Sequence, residues 1–221
     1  MSPPQIIDSH IHLFPASELD TLTWCSPDHP LRAQHSVDDY LAATDNAPEL
    51  RGFVFVETDR KSHLFYSGWK YPFQEVEWIA RIANGEPLPG EGHWPGHARL
   101  CLGIVPWAPL PCGEDELEYY VQLVKDRAGA SRDLIKGFRY LLQDELPGTM
   151  LRGRFIEGLK WLGRKKYTFD LGVDHRSGGI WQLDEAIEMI SRAHEDEAEE
   201  DKVVIIVSTR PVRPLPGKGR D

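Results

Sequence analysis

The chain has 221 residues, 41% hydrophobic and 27% charged, with 7 Trp and 8 Phe, which suits one sizeable globular domain. A formal net charge of -10 argues against a nucleic-acid partner, because a phosphate backbone rewards clustered cations. No apolar run reaches the ~18 residues of a membrane span, Met1-Ser2-Pro3-Pro4 lacks the basic and apolar parts of a signal peptide, and Cys25, Cys101 and Cys112 form neither a disulfide framework nor a CxxC pair, so a cytoplasmic protein without a membrane partner is expected.

In chain order, Gln5–His12 reads as a first strand, leading into a Pro- and Ser-containing loop. Ser36 then caps a helix over Val37–Ala43, with Asp39 at its third position. Gly52–Thr58 is a second strand. A helix over Phe73–Ala83 follows, apolar at Phe73, Val76, Ile79, Ala80 and Ala83. The Gly/Pro-rich stretch Asn84–His97 is a long loop. Arg99–Pro106 is a third strand, and Asp115–Ala128 a helix carrying Leu117, Tyr120, Val121 and Val124 on one face. Ile135–Leu142, a helix over Leu151–Leu162, Thr168–Val173, a helix over Ile180–Ala193 and Val203–Val207 complete the pattern. Ile180, Leu183, Ile187 and Ile190 read as the buried stripe of that last helix.

Strands this continuously apolar are buried parallel strands, and their alternation with helices gives an α/β class. No GxGxxG follows any of them, which argues against a dinucleotide-binding fold. The expectation is an incomplete TIM-type barrel: about six parallel strands side by side in sequence order over residues 1–207, with an irregular tail at 208–221.

The most informative motif closes the first strand: Ile6-Ile7-Asp8-Ser9-His10-Ile11-His12. Alternation along a strand puts His10 and His12 on one face, with Asp8 one pleat deeper, and the flanking isoleucines suggest burial on both sides. Two imidazoles there are costly unless something uses or pairs them; an ordinary surface pair is the plainer reading. Loops after parallel strands carry function in barrels. The following strands deliver Glu57 and Asp59, Trp107, Lys136 and Arg139, then Asp174, His175 and Arg176, while the sixth ends in Ser208 and Thr209. Glu57, Arg139 and His175 are expected to bind substrate, Arg139 as a bidentate anion clamp. Equally, Glu57 can form a structural ion pair with Lys136 or Arg139, and His175 can be a solvated loop residue. His29, His35, His63, His93, His97 and His194 read as surface residues, and Cys25 lacks a base.

Together IIDSHIHLFP (6–15), GFVFVETD (52–59), KGFRYLLQ (136–143) and FDLGVDHRSGGIWQLDEAI (169–187) resemble the amidohydrolase-related metal-dependent hydrolases, the amidohydrolase 2 branch. WCSPDHPL and GFRYL look most like its sugar-lactone hydrolases. The resemblance covers residues 5 to 207. It implies a distorted (β/α)8 barrel, hydrolysis of a lactone, with a sugar lactone as the small-molecule partner, and a divalent metal, zinc or manganese, held by His10 and His12. Arg139 would bind substrate oxygen atoms. Thr209 stands where the family carries a histidine, and the family's eighth-strand aspartate has no counterpart by Asp221. A C-terminally truncated chain with impaired hydrolysis is therefore expected. An inactive fragment that binds metal, ligand or another chain, and a metal-dependent decarboxylase, are the alternatives.

Overall fold

The computed structural model describes residues 4–176 and 178–209. Six strands alternate with five helices: β1 Ile6–Ile11, α1 Val37–Ala43, β2 Leu50–Val56, α2 Lys70–Asn84, β3 Cys101–Val105, α3 Glu114–Ala128, β4 Gly137–Arg139, α4 Gly153–Arg164, β5 Thr168–Val173, α5 Trp181–His194 and β6 Val204–Thr209. All strand pairs are parallel. They form two three-stranded sheets, β1-β2-β3 and β4-β5-β6, rather than one run of six, and the described residues make no closed barrel.

The division falls at β4, expected over eight residues and formed over three. Isolated parallel bridges, Ile104 with Ile135 and Trp107 with Arg139, still tie β3 to it. Lys136 N–H donates to the Ile104 carbonyl at 3.0 Å, and Arg139 N–H to that of Pro106 at 2.9 Å. Gly137 lets β4 lie close against β5, because a Cβ there would sit 2.0 Å from Thr168 Oγ1.

Helices pack on one side of the strands in two apolar clusters. One joins Ile11, Phe53, Phe55 and Ile104 to Val37, Trp78, Ile79 and Ile82. The other joins Phe138, Phe169, Leu171 and Val173 to the inner faces of α3, α4 and α5. The α3 stripe is as expected, with Leu117, Tyr120, Val121 and Val124 all buried. In α5 the expectation holds only in part: Leu183 and Ile190 are partly buried and pack against this second cluster. Its buried residues are Gln182, Ala186, Met189 and Ala193, while Ile180 and Ile187 are exposed. The small and flexible residues at that spacing admit close packing, and large apolar type alone misjudged the face.

β1 is not buried on both sides either. Ile6 and Ile7 are more than half exposed, because β1 pairs only with β2 among the described residues. Val204, Ile206 and Val207 leave β6 similarly open. β6 runs through Thr209, two residues into the segment expected to be irregular; residues 210–221 lie outside the described residues. No described helix is long and apolar enough to cross a membrane.

Candidate active site

In β5, Phe169, Leu171 and Val173 join the helix-side core, so Asp170 and Gly172 face the other way. Arg139 of β4 is Asp170's register partner, and Ser208 of β6 is that of Gly172. In β1, Ile11 joins the helix-side core, which turns His10 and His12 to the same inner side. Their ring centroids lie 4.9 Å apart, edge to face.

Each imidazole is held through Nδ1. That of His12 lies 3.0 Å from the Val56 carbonyl oxygen, which only accepts, so Nδ1 carries the proton and Nε2 a lone pair. The surrounding protein strips water from His12, and Arg139 adds positive charge nearby; its pKa falls to about 4. The His12 residue itself remains exposed. His10 Nδ1 lies 3.4 Å from Asp170 Oδ2 and 3.3 Å from Ser208 Oγ.

Arg139 sits between two carboxylates, its Nε 3.4 Å from Asp170 Oδ1 and 3.6 Å from Glu57 Oε1. All three residues are buried. Burial pushes the Glu57 carboxyl up to about 8, with Arg139 opposing and Glu75 and Asp59 adding to the rise. Burial also works to raise Asp170, but the His10 hydrogen bond and the Arg139 charge outweigh it and hold that carboxyl below its ordinary range. Near neutral pH, Asp170 is thus the firmer anion beside Arg139. Gly172 makes room: a Cβ there would lie 2.9 Å from an Arg139 terminal nitrogen.

A second network fixes the loop after β2. Glu57 Oε2 accepts the Asp59 N–H at 2.6 Å. Buried Glu75 of α2 accepts the Thr58 N–H at 3.0 Å and Arg60 Nε at 3.1 Å, and Arg60 reaches Glu18 at 2.6 Å. The strand end that carries Glu57 is thereby tied to α2.

The structure thus brings together His10, His12, Glu57 and Arg139 of the expected set. Glu57 pairs with Arg139 and not with Lys136, whose ammonium donates to the Asp133 carbonyl at 2.7 Å. His175 lies half-buried in the turn after β5; no hydrogen bond or ion pair among the described residues joins it to the others. Asp8 is also elsewhere. A register shift separates it from Ile11, and its carboxylate faces the Tyr40 hydroxyl of α1 at 3.3 Å. His93 and His97, expected at the surface, are buried; His93 Nε2 meets Glu91 at 3.1 Å. A cavity of about 460 Å³ near Asp38, Trp94, His97 and Arg99 also touches Leu50, at the opposite end of β2.

Asp170 and Ser208 are the members that sequence reasoning missed. For Asp170 a signal existed: a lone carboxylate among Phe169, Leu171 and Val173 of a buried strand must be paired.

Among the described residues no group of three or more His, Cys, Asp or Glu could hold a metal ion. His10 and His12 supply two nitrogens where a catalytic zinc has three protein ligands, and Asp170 is turned to Arg139 and His10. These residues do not by themselves fit a divalent metal.

No model of a known protein family matches the chain. It is 37% identical over 196 residues to an L-rhamnono-gamma-lactonase of Scheffersomyces stipitis, an alignment covering 87% of this chain and 58% of that relative. Among solved structures, an amidohydrolase 2 from Bifidobacterium longum subsp. infantis superposes with a TM-score of 0.57 at 19% identity, over 93% of this chain and 61% of that one. An amidohydrolase from Burkholderia multivorans with bound zinc gives 0.55 at 18%, over 92% and 68%. The chain is similar over most of its length to this sugar lactonase, and the structural likenesses show that its fold is that of the amidohydrolases. It spans little more than half the length of its curated relative.

Proposed function

We propose that this amidohydrolase-related chain carries part of a lactone-hydrolysing site, within a TIM-type barrel architecture, and that a sugar-acid lactone is its substrate. Water attacks the ester carbonyl carbon, the ring C–O bond breaks, and the departing alkoxide takes up a proton to give an open-chain hydroxy acid. His10 and His12, each with Nδ1 tied to an acceptor, offer Nε2 lone pairs that can take the proton of the attacking water. The terminal nitrogens of Arg139 are suited to the charge that grows on the carbonyl oxygen. Glu57 keeps Arg139 aligned. His175 belongs to this proposal only as a residue at the edge of the same mouth.

The observation that carries the reading is the meeting of two imidazoles and a buried guanidinium on the inner side of parallel strands β1 and β4, in a chain 37% identical to a lactonase. Arg139→Lys keeps the charge and loses the planar fork. If Arg139 binds substrate oxygen, that variant raises KM for aldonolactones about tenfold or more, the equivalent of ~1.4 kcal/mol; an unchanged KM removes Arg139 from the site.

A second reading, ligand binding without turnover, is favoured by the position of Arg139 between two carboxylates. A guanidinium already paired with Asp170 can still donate hydrogen bonds to a bound ligand, but it lends less charge to an oxyanion that forms only in the transition state. Tight binding of an aldonate with no acid release from its lactone would select that reading.

A further inference from the structure

We propose that Asp170 is a positioning residue that fixes the tautomer of His10, placing the proton on Nδ1 and leaving Nε2 free. The assignment deepens the lactone-hydrolase reading, because it states how one imidazole at that site is made ready, but the tautomer itself can be read without any substrate.

The argument is a count of donors and acceptors. His10 Nδ1 faces Asp170 Oδ2 at 3.4 Å and Ser208 Oγ at 3.3 Å. An ionised carboxylate only accepts. Ser208 Oγ donates to the same Oδ2 at 2.9 Å, which commits its proton and leaves Nδ1 to supply its own. The other oxygen, Oδ1, faces Arg139 Nε at 3.4 Å. Asp170 is thus surrounded by Ser208, His10 and Arg139, and with 2% exposure it cannot turn to water. Its backbone is fixed between β4 and β6 by parallel pairing on both sides. The His10 side chain, 28% exposed, keeps its opposite edge accessible, beside the His12 ring. Ser208 approaches Nδ1 and not Nε2, so it is a support for Asp170 and not a nucleophile activated by His10. A carboxylate behind an imidazole is the general means of orienting a catalytic or ligating histidine.

The test is long-range proton–nitrogen NMR on the full chain with ¹⁵N-labelled histidine at pH 8, with His10 assigned by its loss in His10→Gln. In the unsubstituted protein His10 shows an unprotonated Nε2 and a protonated Nδ1. A His10 carrying its proton on Nε2 overturns the proposal, with no variant required. Asp170→Asn reverses the pattern. Arg139 can only donate, so it takes the amide carbonyl, and the amide NH₂ is left to face Nδ1. Ser208→Ala retains the original tautomer. An unchanged tautomer in a folded Asp170→Asn overturns the proposal. Where lactone hydrolysis is measurable, Asp170→Asn lowers kcat by about 10²-fold or more with KM within about threefold, as loss of an orienting carboxylate does elsewhere. A switched tautomer in a protein without any lactone hydrolysis leaves Asp170 assigned and counts against the lactonase reading alone.

Discussion

Asp170 Oδ2 lies 3.4 Å from His10 Nδ1, joining β5 to β1 although these strands belong to separate three-stranded sheets. The contact makes Asp170 and its partner Arg139 part of what holds the two sheets in register with one another. Both carboxylates near Arg139 are buried with it, and removing one member of such a group leaves charge uncompensated. Arg139→Met is expected to cost about 3–5 kcal/mol, read from urea unfolding midpoints. A cost below about 1 kcal/mol would show that the buried charges relax into solvent.

Glu57 gives a pH signature. Its folded carboxyl is raised to about 8 by burial, while an unfolded glutamate titrates near 4.3. Between those values the folded chain holds a proton that the unfolded chain has lost, so this group makes stability fall as pH rises through the window. Glu57→Gln removes the contribution. Its thermal midpoint should gain on that of the unsubstituted chain steadily from pH 5 to pH 8.5. Parallel curves would mean that Glu57 is ionised in the folded state throughout.

Gly172 sets the space available to Arg139. A methyl group there would lie 2.9 Å from a terminal nitrogen, the movable end of a long side chain, so the backbone need not yield. Gly172→Ala should therefore cost little stability, about 1 kcal/mol or less, yet raise the KM for any lactone that the chain turns over. A cost of several kcal/mol would place the strain in the β4–β5 backbone instead.

The helical pattern was the most legible part of the sequence. Val37–Ala43 begins and ends where the Ser36 and Asp39 signals put it, and Asp39 does accept the Ser36 N–H at 2.8 Å. Strand positions were also readable, because continuous apolar runs have few alternatives. β4 was overestimated, since an apolar stretch shows where a chain is buried and not where its hydrogen bonds run. Tyr140 and Leu142 are buried without extending the strand. At the site, His10, His12 and Arg139 stood out by residue type and position. Asp170 did not, because its role exists only through His10 and Ser208, which the sequence keeps far apart. His93 looked like a loop residue, and its burial against Trp78 depends on how the Gly/Pro-rich segment folds back, which local spacing does not encode.

The α5 misjudgement can be tested directly. Ile187 is 69% exposed and Met189 is fully buried. Ile187→Lys should change stability by about 0.5 kcal/mol or less, whereas Met189→Ala should cost about 2–5 kcal/mol by leaving a cavity. Equal costs would mean that another surface covers Ile187 in solution.

The central claim, that the inner face of β1 and β4 belongs to a lactone-hydrolysing site, is tested most directly by His10→Ala. The measurement is acid release from a panel of aldonolactones at pH 7.5, above the spontaneous rate, for the unsubstituted chain and the variant side by side. Both must have native far-UV dichroism and sharp thermal transitions. The account predicts slow but saturable acid release that falls by ~10²-fold or more, to the buffer rate, in His10→Ala. Acid release at the same rate above buffer in both folded proteins would contradict it.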